Sequence, residues 1–337
     1  NDWKALEKGI KQRTSLLNKV QNDIYSEQKL LLNGHISAEN LYQDSHFMRE
    51  GFSLPKDELK LFFTALDVYR TPSGEFKVLK DHCQCPLGLG LLLRSRIISR
   101  RGMAEEFAEC NVQQIKDFLN LFQEGINEYI HYMDDPRIVI LTQGIDDPNY
   151  NEHAFLSTYF GYTLVQSADL TVRNGEVWLK SLQGLGKINV ILRWIPDNSI
   201  DSLEQTEYSL HGIAGLLQAV REGTVKVLNP FGSGVLSSAA IQFNLDKLCE
   251  QLLDEPLLIP GAKYYKATEA EDLDWSTLEF TSFKNPEFKL DGVLDAKKIK
   301  QHIQQNPDAY YFQVKPVFSS APFWQDGKLI AKPVIFR

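Results

Sequence analysis

The sequence predicts an α/β protein: a central, doubly wound, mostly parallel sheet with smaller α/β lobes around it. Three observations carry that expectation. Between 135 and 260, short apolar runs such as "RIVILTQ", "KINVILRW" and "VKVLN" alternate with helical stretches, the pattern of parallel strands covered by helices on both faces. Upstream, "LKLFFTALDVYR" (59–70) and "EFKVLKD" (75–81) meet at "TPSG", a turn signal between two strands. Downstream of Pro260 the chain turns acidic and aromatic and closes on a small strand-rich unit. The chain therefore divides into 1–134, 135–260 and 261–337.

The first segment opens with a helix. Trp3, Leu6, Ile10, Leu17, Val20 and Ile24 recur at steps of three and four, with one double step over Thr14, and Asp2 is a candidate N-cap. Residues 33–56 carry Gly, Pro, Ser and Asn and read as loop with short helix. Residues 104–133 read as one or two helices with Phe107, Ile115, Phe118, Leu119, Phe122, Ile126 and Ile130 inward. In the second segment, "RIVILTQG" is a buried strand, "NEHAFLSTYF" a helix and "TLV" a short strand. A hairpin turns at Asn174-Gly175, the strongest short-range hairpin signal. Then follow a strand at "KINVILRW", a helix at "LHGIAGLLQAVREG", a strand at "VKVLN", a glycine turn and a helix at "LSSAAIQFNLDKLCEQLL". The third segment predicts a helix at 295–305, a strand at "AYYFQVKPVF" and a hairpin around Asp326-Gly327.

Composition narrows the function. The formal net charge of −8 argues against a scaffold that binds nucleic acid by neutralising phosphates. No apolar run has the length of a bilayer span, so no membrane association is expected. Four cysteines, Cys83, Cys85, Cys110 and Cys249, are no disulfide framework in a chain of 337 residues. A reducing, cytoplasmic setting is the simplest expectation.

Several short stretches could carry chemistry. In "VLKDHCQCPLGLG" His82, Cys83 and Cys85 crowd together. A zinc site wants four ligands, usually as spaced pairs, and here the pair is C-x-C without a second. The plain reading is a buried strand end with small sulfur side chains. In "NPFGSGVLSS", Gly232 and Gly234 lead from a strand into a helix. Asn229, Gly232, Ser233 and Gly234 could seat a carboxylate or phosphate on backbone N–H groups, or simply make a tight turn; both readings stand. Arg193 ends a buried strand, where a guanidinium needs an anion, with Asp197 the nearest candidate in sequence. Glu152-His153 could form an acid/base pair, although an acidic residue in a first helical turn has a structural reason of its own.

Long collinear stretches carry a resemblance. "ALDVYRTPSGEFKVLKD" followed by "CPLGLGLLLRSR" is similar to the pattern D-x-x-R…G-x-W-x-V-L-x-D…P-S-G-x-G-Y-x-L-E-N-R. The likeness continues through "VILTQGIDDPNYNEHAFLSTYFGYTLVQSADLTVRNGEVWLKSLQGL", "VILRWIPD", "SLEQTEYSLHGIAGLLQAVREGTVKVLNPFGSGVL" and "YYFQVKPVFSSAPFWQDGKLIAKPVIFR". The chain thus resembles the circularly permuted ATP-grasp proteins, relatives of glutathionylspermidine synthetase. The resemblance implies an ATP-dependent carboxylate–amine ligase that uses Mg²⁺, with small-molecule or peptide acids and amines as substrates. In that reading 1–134 holds the metal strand, 135–260 is a doubly wound domain and 261–337 is the nucleotide-holding lobe. A helical domain or partner would follow Arg337.

Carried over by position, the resemblance puts Asp67 and Asp81 at the metal and, with Gln313 and Lys315, at the cofactor. It gives Arg337 and Arg193 catalytic roles and places Asn229, Gly232, Ser233, Gly234 and Arg96 at the substrate. The departures are local. Where typical members read Glu-Asp-Asn on the metal strand, this chain has Lys80, Asp81 and His82, and a phosphate-binding lysine is replaced near Thr281. The expectation is therefore a ligase fold with a degraded Mg-ATP site, or a non-catalytic binding protein on the same fold.

Overall fold

The computed structural model describes the chain apart from residues 1, 111, 206–211, 268–273, 285–288, 292–299, 302 and 304. In chain order its strands are β1 (Ala65–Arg70), β2 (Phe76–His82), β3 (Ile138–Leu141), β4 (Thr163–Val165), β5 (Leu170–Arg173), β6 (Glu176–Ser181), β7 (Gly184–Lys187), β8 (Val190–Arg193), β9 (Lys226–Leu228), β10 (Tyr264–Lys266), β11 (Leu278–Ser282), β12 (Lys289–Asp291), β13 (Tyr310–Val314), β14 (Ser320–Gln325), β15 (Lys328–Pro333) and β16 (Ile335–Phe336). The chain forms two compact units. One comprises residues 1–84 and 231–337, and the other, residues 85–230, is inserted between them. The units meet at 84/85 and 230/231, whereas the sequence pattern changes at 134/135 and 260/261.

In the first unit the helix Asp2–Ile24, α1, buries Leu6, Leu16, Leu17, Val20 and Ile24, while Trp3 stays largely exposed against Phe76 and Phe336. The "TPSG" hairpin forms as expected: β1 and β2 pair antiparallel and β16 adds to β1, giving the order β16-β1-β2. Leu6 of α1 and Ile259 pack with Leu66, Val68 and Val78 to bury one face of this sheet. A four-stranded antiparallel sheet, β10-β13-β11-β12, has its own core of Leu278, Phe280 and Phe312. β14 and β15 form the hairpin expected at Asp326-Gly327. The helix expected at 295–305 lies largely outside the described residues.

The second unit holds the parallel sheet, in the order β4-β3-β8-β9. β3 and β8 are central, as their unbroken apolar runs require. "VKVLN" is an edge strand, not a central one. Val227 and Leu228 are nonetheless buried, so an apolar run reported burial rather than rank in the sheet. The Asn174-Gly175 turn joins β5 to β6, and β7 extends that ribbon. Leu89–Gly102 is a helix that the sequence reading did not assign, and the stretch 104–133 splits into Ala104–Glu109 and Lys116–Ile130. Leu119, Phe122, Ile126 and Ile130 face inward as expected, but Phe118 is exposed. Of the helix expected at 210–223, Leu216–Arg221 is formed.

The helix expected at "LSSAAIQFNLDKLCEQLL" is instead broken into a 3₁₀ turn at Ser233–Ser237 and helices at Ala239–Gln242 and Leu245–Leu253. The first break falls at two serines. Ser238 is extended, and the Ser237 hydroxyl donates to the Asp81 carbonyl at 2.6 Å, which ties the segment to β2 where the helix is interrupted. Among the described residues no helix is long and apolar enough to cross a membrane.

Candidate active site

The β1–β2 hairpin sorts its side chains by register. Ala65 lies opposite His82 and Asp67 opposite Lys80; Leu79 is then an extra residue, so Val68 faces Val78 and Tyr69 faces Lys77. This bulge resets the alternation on β2. Lys77, Lys80 and His82 therefore share one face with Asp67 and Tyr69, although Lys77 and Lys80 are three residues apart. The other face carries Leu66, Val68, Val78 and Asp81 against α1. On β16, Phe336 pairs with Val68, which brings Arg337 level with Asp67.

Asp67 is fully engaged on its face. Arg337 donates from Nε to Oδ1 at 2.6 Å and from Nη2 to Oδ2 at 2.8 Å, and His82 Nε2 lies 2.8 Å from Oδ2. Arg337 Nη2 also approaches His82 Nε2 at 3.2 Å. Burial pushes the Asp67 carboxyl upward, but the hydrogen bonds and charge of His82 and Arg337 outweigh it and hold the group well below the usual carboxylate range. Lys80 is exposed and makes no ion pair or hydrogen bond with another described side chain.

Asp81, on the opposite face, is buried in a separate network. Arg13 of α1 binds it through Nε and Nη2, both at 2.8 Å, and Gln242 Nε2 donates to Oδ2 at 3.0 Å. Arg13 also donates to the Ile259 carbonyl and to Gln242 Oε1. The structure thus does not bring Asp67 and Asp81 together. Arg13 and Gln242 escaped the sequence reading, but Arg13 left a signal: 10, 13, 17 and 20 keep the helical step, so a cation sits in the apolar stripe where the reading saw a double step.

A cleft of about 1240 Å³ opens within the same unit. Its walls include Tyr69, Phe76 and Lys77 of the hairpin, the "TPSG" turn, Phe243, and Lys263, Tyr264 and Tyr265 at β10, with Lys315 beyond β13. Burial, helped by the Asp81 charge, pushes the Tyr264 hydroxyl up to about 12, so it stays protonated at neutral pH. Lys315 donates from its backbone to Thr277 and from Nζ to the Ser276 carbonyl at 3.0 Å. Gln313 does not line the cleft; its amide donates to Glu279 at 2.6 Å across the β11–β13 pair. Thr281 is buried opposite Tyr311 on the same pair.

The "HCQC" stretch lies where the chain leaves the first unit. Cys83 is buried there, and burial drives its thiol well above the ordinary value. Cys85 opens the second unit, donates to the Ile195 carbonyl at 3.4 Å, and is pushed by burial up to about 12. Both are neutral thiols at neutral pH, unlike nucleophilic or metal-binding thiolates. Among the described residues no three His, Cys, Asp or Glu side chains group as metal ligands.

In the second unit Arg193 finds its anion in Asp197 at 2.8 Å, both buried. Its other donors hold the carbonyls of Ile195, Asn229 and Pro230 at 2.7–2.8 Å, so the guanidinium pins the glycine turn through its backbone. The chain passes to the first unit after Pro230. There Gln21 of α1 donates to the Phe231 carbonyl, and Tyr25, the residue that follows α1, donates to the Gly232 carbonyl. Gly232 is required: its φ is +78°, and a Cβ would stand 2.6 Å from the Tyr25 ring. Ser233 and Gly234 are buried in a 3₁₀ turn of five residues, which lacks the macrodipole of the long helix on which the anion reading rested. Arg96, on the Leu89–Gly102 helix, donates to the Gln113 carbonyl and lies over the Phe107 ring. Glu152 is buried and accepts from the N–H groups of Gly88 and Gly90, capping that helix from outside. His153 meets Thr142 at 2.9 Å and Trp194, and burial lowers its pKa.

A parallel sheet in one unit, with a hairpin sheet, an antiparallel sheet and a cleft in the other, defines an α/β protein of ATP-grasp type. The profile of the circularly permuted ATP-grasp type 2 family matches residues 1–337, and the chain belongs to that family. An uncharacterized protein of Mycobacterium tuberculosis is 32% identical over 347 residues, covering 100% of this chain and 39% of its own length. One from Synechocystis is 28% identical over 276 residues, covering 81% of this chain and 57% of its own. The chain thus spans about two fifths of the mycobacterial relative. A glutathione synthetase-like effector from Globodera pallida, in apo form, shares the fold with a TM-score of 0.55 at 12% identity, over 95% of this chain and 73% of that one.

The family generally uses ATP and Mg²⁺, and the residues here fit the two unequally. The aromatic walls suit a base, and Lys77, Lys263 and Lys315 offer donors to phosphates, beside the carboxylates of Asp2, Glu75 and Asp246 that also line the cleft. Mg²⁺ wants several oxygen ligands in octahedral array. Asp67 and Asp81 face opposite sides of the hairpin, both carboxylates are already bound on both oxygens by side-chain donors, and Lys80 offers no lone pair when protonated. This donor set does not fit the ion.

Proposed function

We propose that this chain is the ATP-grasp portion of a carboxylate–amine ligase-type protein that keeps a nucleotide cleft and has largely lost Mg²⁺-dependent phosphoryl transfer. The observation that carries this reading is the clamp on Asp67 by Arg337 and His82, on a face shared with Lys80. In ATP-grasp ligation a phosphoryl group passes from ATP to a carboxylate, and an amine then displaces phosphate to give an amide. That transfer depends on neutralising charge on the phosphoryl oxygens. Here the tyrosines and Phe243 would hold the base, and the lysines at the cleft would orient the phosphates. Lysine and arginine supply charge, but not the octahedral geometry of an ion bridging two phosphates.

The test is ATP hydrolysis, with hydroxylamine trapping of acyl phosphate, on the full-length protein and on Lys80→Glu with His82→Asn. The expected result is little or no turnover by the unmodified protein and a gain of Mg-ATP affinity in the double variant. Robust turnover by the unmodified protein would refute the reading. Retention of the fold for binding alone has the same support, and trapping separates it from slow ligation.

A further inference from the structure

We infer that the cationic face of the β1–β2 hairpin seats the polyphosphate of a nucleotide without a divalent cation, and that Mg²⁺ opposes this binding. The inference rests on the nucleotide reading of the cleft and specifies the form of ligand it takes.

The bulge at Leu79 is the structural cause. Without the extra residue, Lys77 and Lys80 would point to opposite faces; with it, both stand beside Asp67, and Arg337 joins from β16. Three cations, Lys77, Lys80 and Arg337, therefore share a face with one carboxylate, which Arg337 and His82 already bind. Tyr69 and Lys77 belong both to this face and to the cleft wall, so the face adjoins the cleft through Lys77, with Lys80 and Arg337 beside it outside the cleft lining. Lys77 and Lys80 make no hydrogen bond or ion pair with other described side chains, and Lys80 is exposed.

A divalent cation arriving here would meet ammonium groups and have to displace Arg337 from Asp67. A polyphosphate would meet donors that are already deployed. Free ATP carries more negative charge than its magnesium complex, so the same face prefers the metal-free form. The lysines stand where charge compensation is needed, and the bound ligand needs no bridging ion.

The experiment is calorimetric titration of the full-length protein with ATP in excess EDTA, with ATP in saturating Mg²⁺, and with tripolyphosphate in EDTA. Binding in EDTA is expected to be about tenfold tighter than in Mg²⁺ and to weaken with salt. Lys80→Glu and Lys77→Glu, with their folding checked by circular dichroism, are each expected to weaken the EDTA titration about tenfold or more. Tripolyphosphate should compete with ATP. The variant Lys80→Glu with His82→Asn should reverse the order, binding ATP better with Mg²⁺. Binding only when Mg²⁺ is present, no binding of either phosphate ligand, or indifference to both lysine substitutions would overturn the inference. The two proposals fail separately: turnover in Mg²⁺ sinks the loss of catalysis, whereas a Mg²⁺ requirement for binding without turnover sinks only the metal-free seat.

Discussion

At the scale of single residues, the two carboxylates of the hairpin, Asp67 and Asp81, have different work. Asp81 joins α1 to the hairpin through Arg13, both buried. Removing one partner leaves an unpaired charge in the interior, which costs about 3–5 kcal/mol. Arg13→Ala or Asp81→Ala is therefore expected to lower the urea midpoint steeply, whereas replacing both by apolar residues of similar volume should recover much of the loss. A result in which either single change left the midpoint unmoved would contradict this role. His153 gives a second residue-scale expectation. Its folded pKa is lowered by burial, so the unfolded chain binds the proton more readily. The stability tied to the neutral ring is fully present above the unfolded value of about 6.5 and is lost as pH falls toward the lower folded value. Melting temperatures of the native protein and His153→Gln between pH 7.5 and 5 should converge as the pH drops. Of these residues, His153 was legible as a half-buried histidine, but Arg13 was hidden because a cation in an apolar stripe looks like a break in the pattern.

At the scale of elements, local sequence was a good guide wherever turn chemistry was explicit. "TPSG", Asn174-Gly175 and Asp326-Gly327 each join the strands expected of them, because these turns demand particular residues. It was a poor guide to the long helix after Gly234, which breaks at the extended Ser238, beside the Ser237 bond to the distant Asp81 carbonyl. The glycine turn itself is held by Gln21 of α1 and by Tyr25 just after it, so Gly232→Ala combines a left-handed backbone with a collision against Tyr25. An expected loss of about 2 kcal/mol or more in chemical denaturation follows, since a side chain in that conformation alone costs roughly 1–2 kcal/mol. Tyr25→Ala in the same background should relieve the collision and leave the backbone strain.

At the scale of the whole molecule, residues 85–230 carry a complete parallel sheet with its own buried strands, inserted into a unit made from both flanks of the chain. The inserted segment is expected to melt cooperatively when expressed alone, followed by far-ultraviolet circular dichroism, because Val139, Ile140, Ile191 and Leu192 are buried within it. A featureless melt would argue against its independence. The flanking unit cannot be tested by simple truncation, since its hairpin depends on α1 before it and on β16 near residue 337.

The sequence by itself determined the α/β class, the order of the parallel-sheet strands along the chain, the hairpins and the family. These follow from local periodicity, turn residues and collinear motifs, all of which are written in neighbouring positions. Only the tertiary structure decided that Asp67 and Asp81 face opposite sides, that Arg193 holds Asp197 and three backbone carbonyls, and that Lys77 joins Lys80. A side chain's face depends on the pairing register, and one extra residue at Leu79 reverses it. A buried charge's partner likewise comes from a distant part of the chain, Arg13 for Asp81 and Arg337 for Asp67, which spacing along the sequence cannot specify.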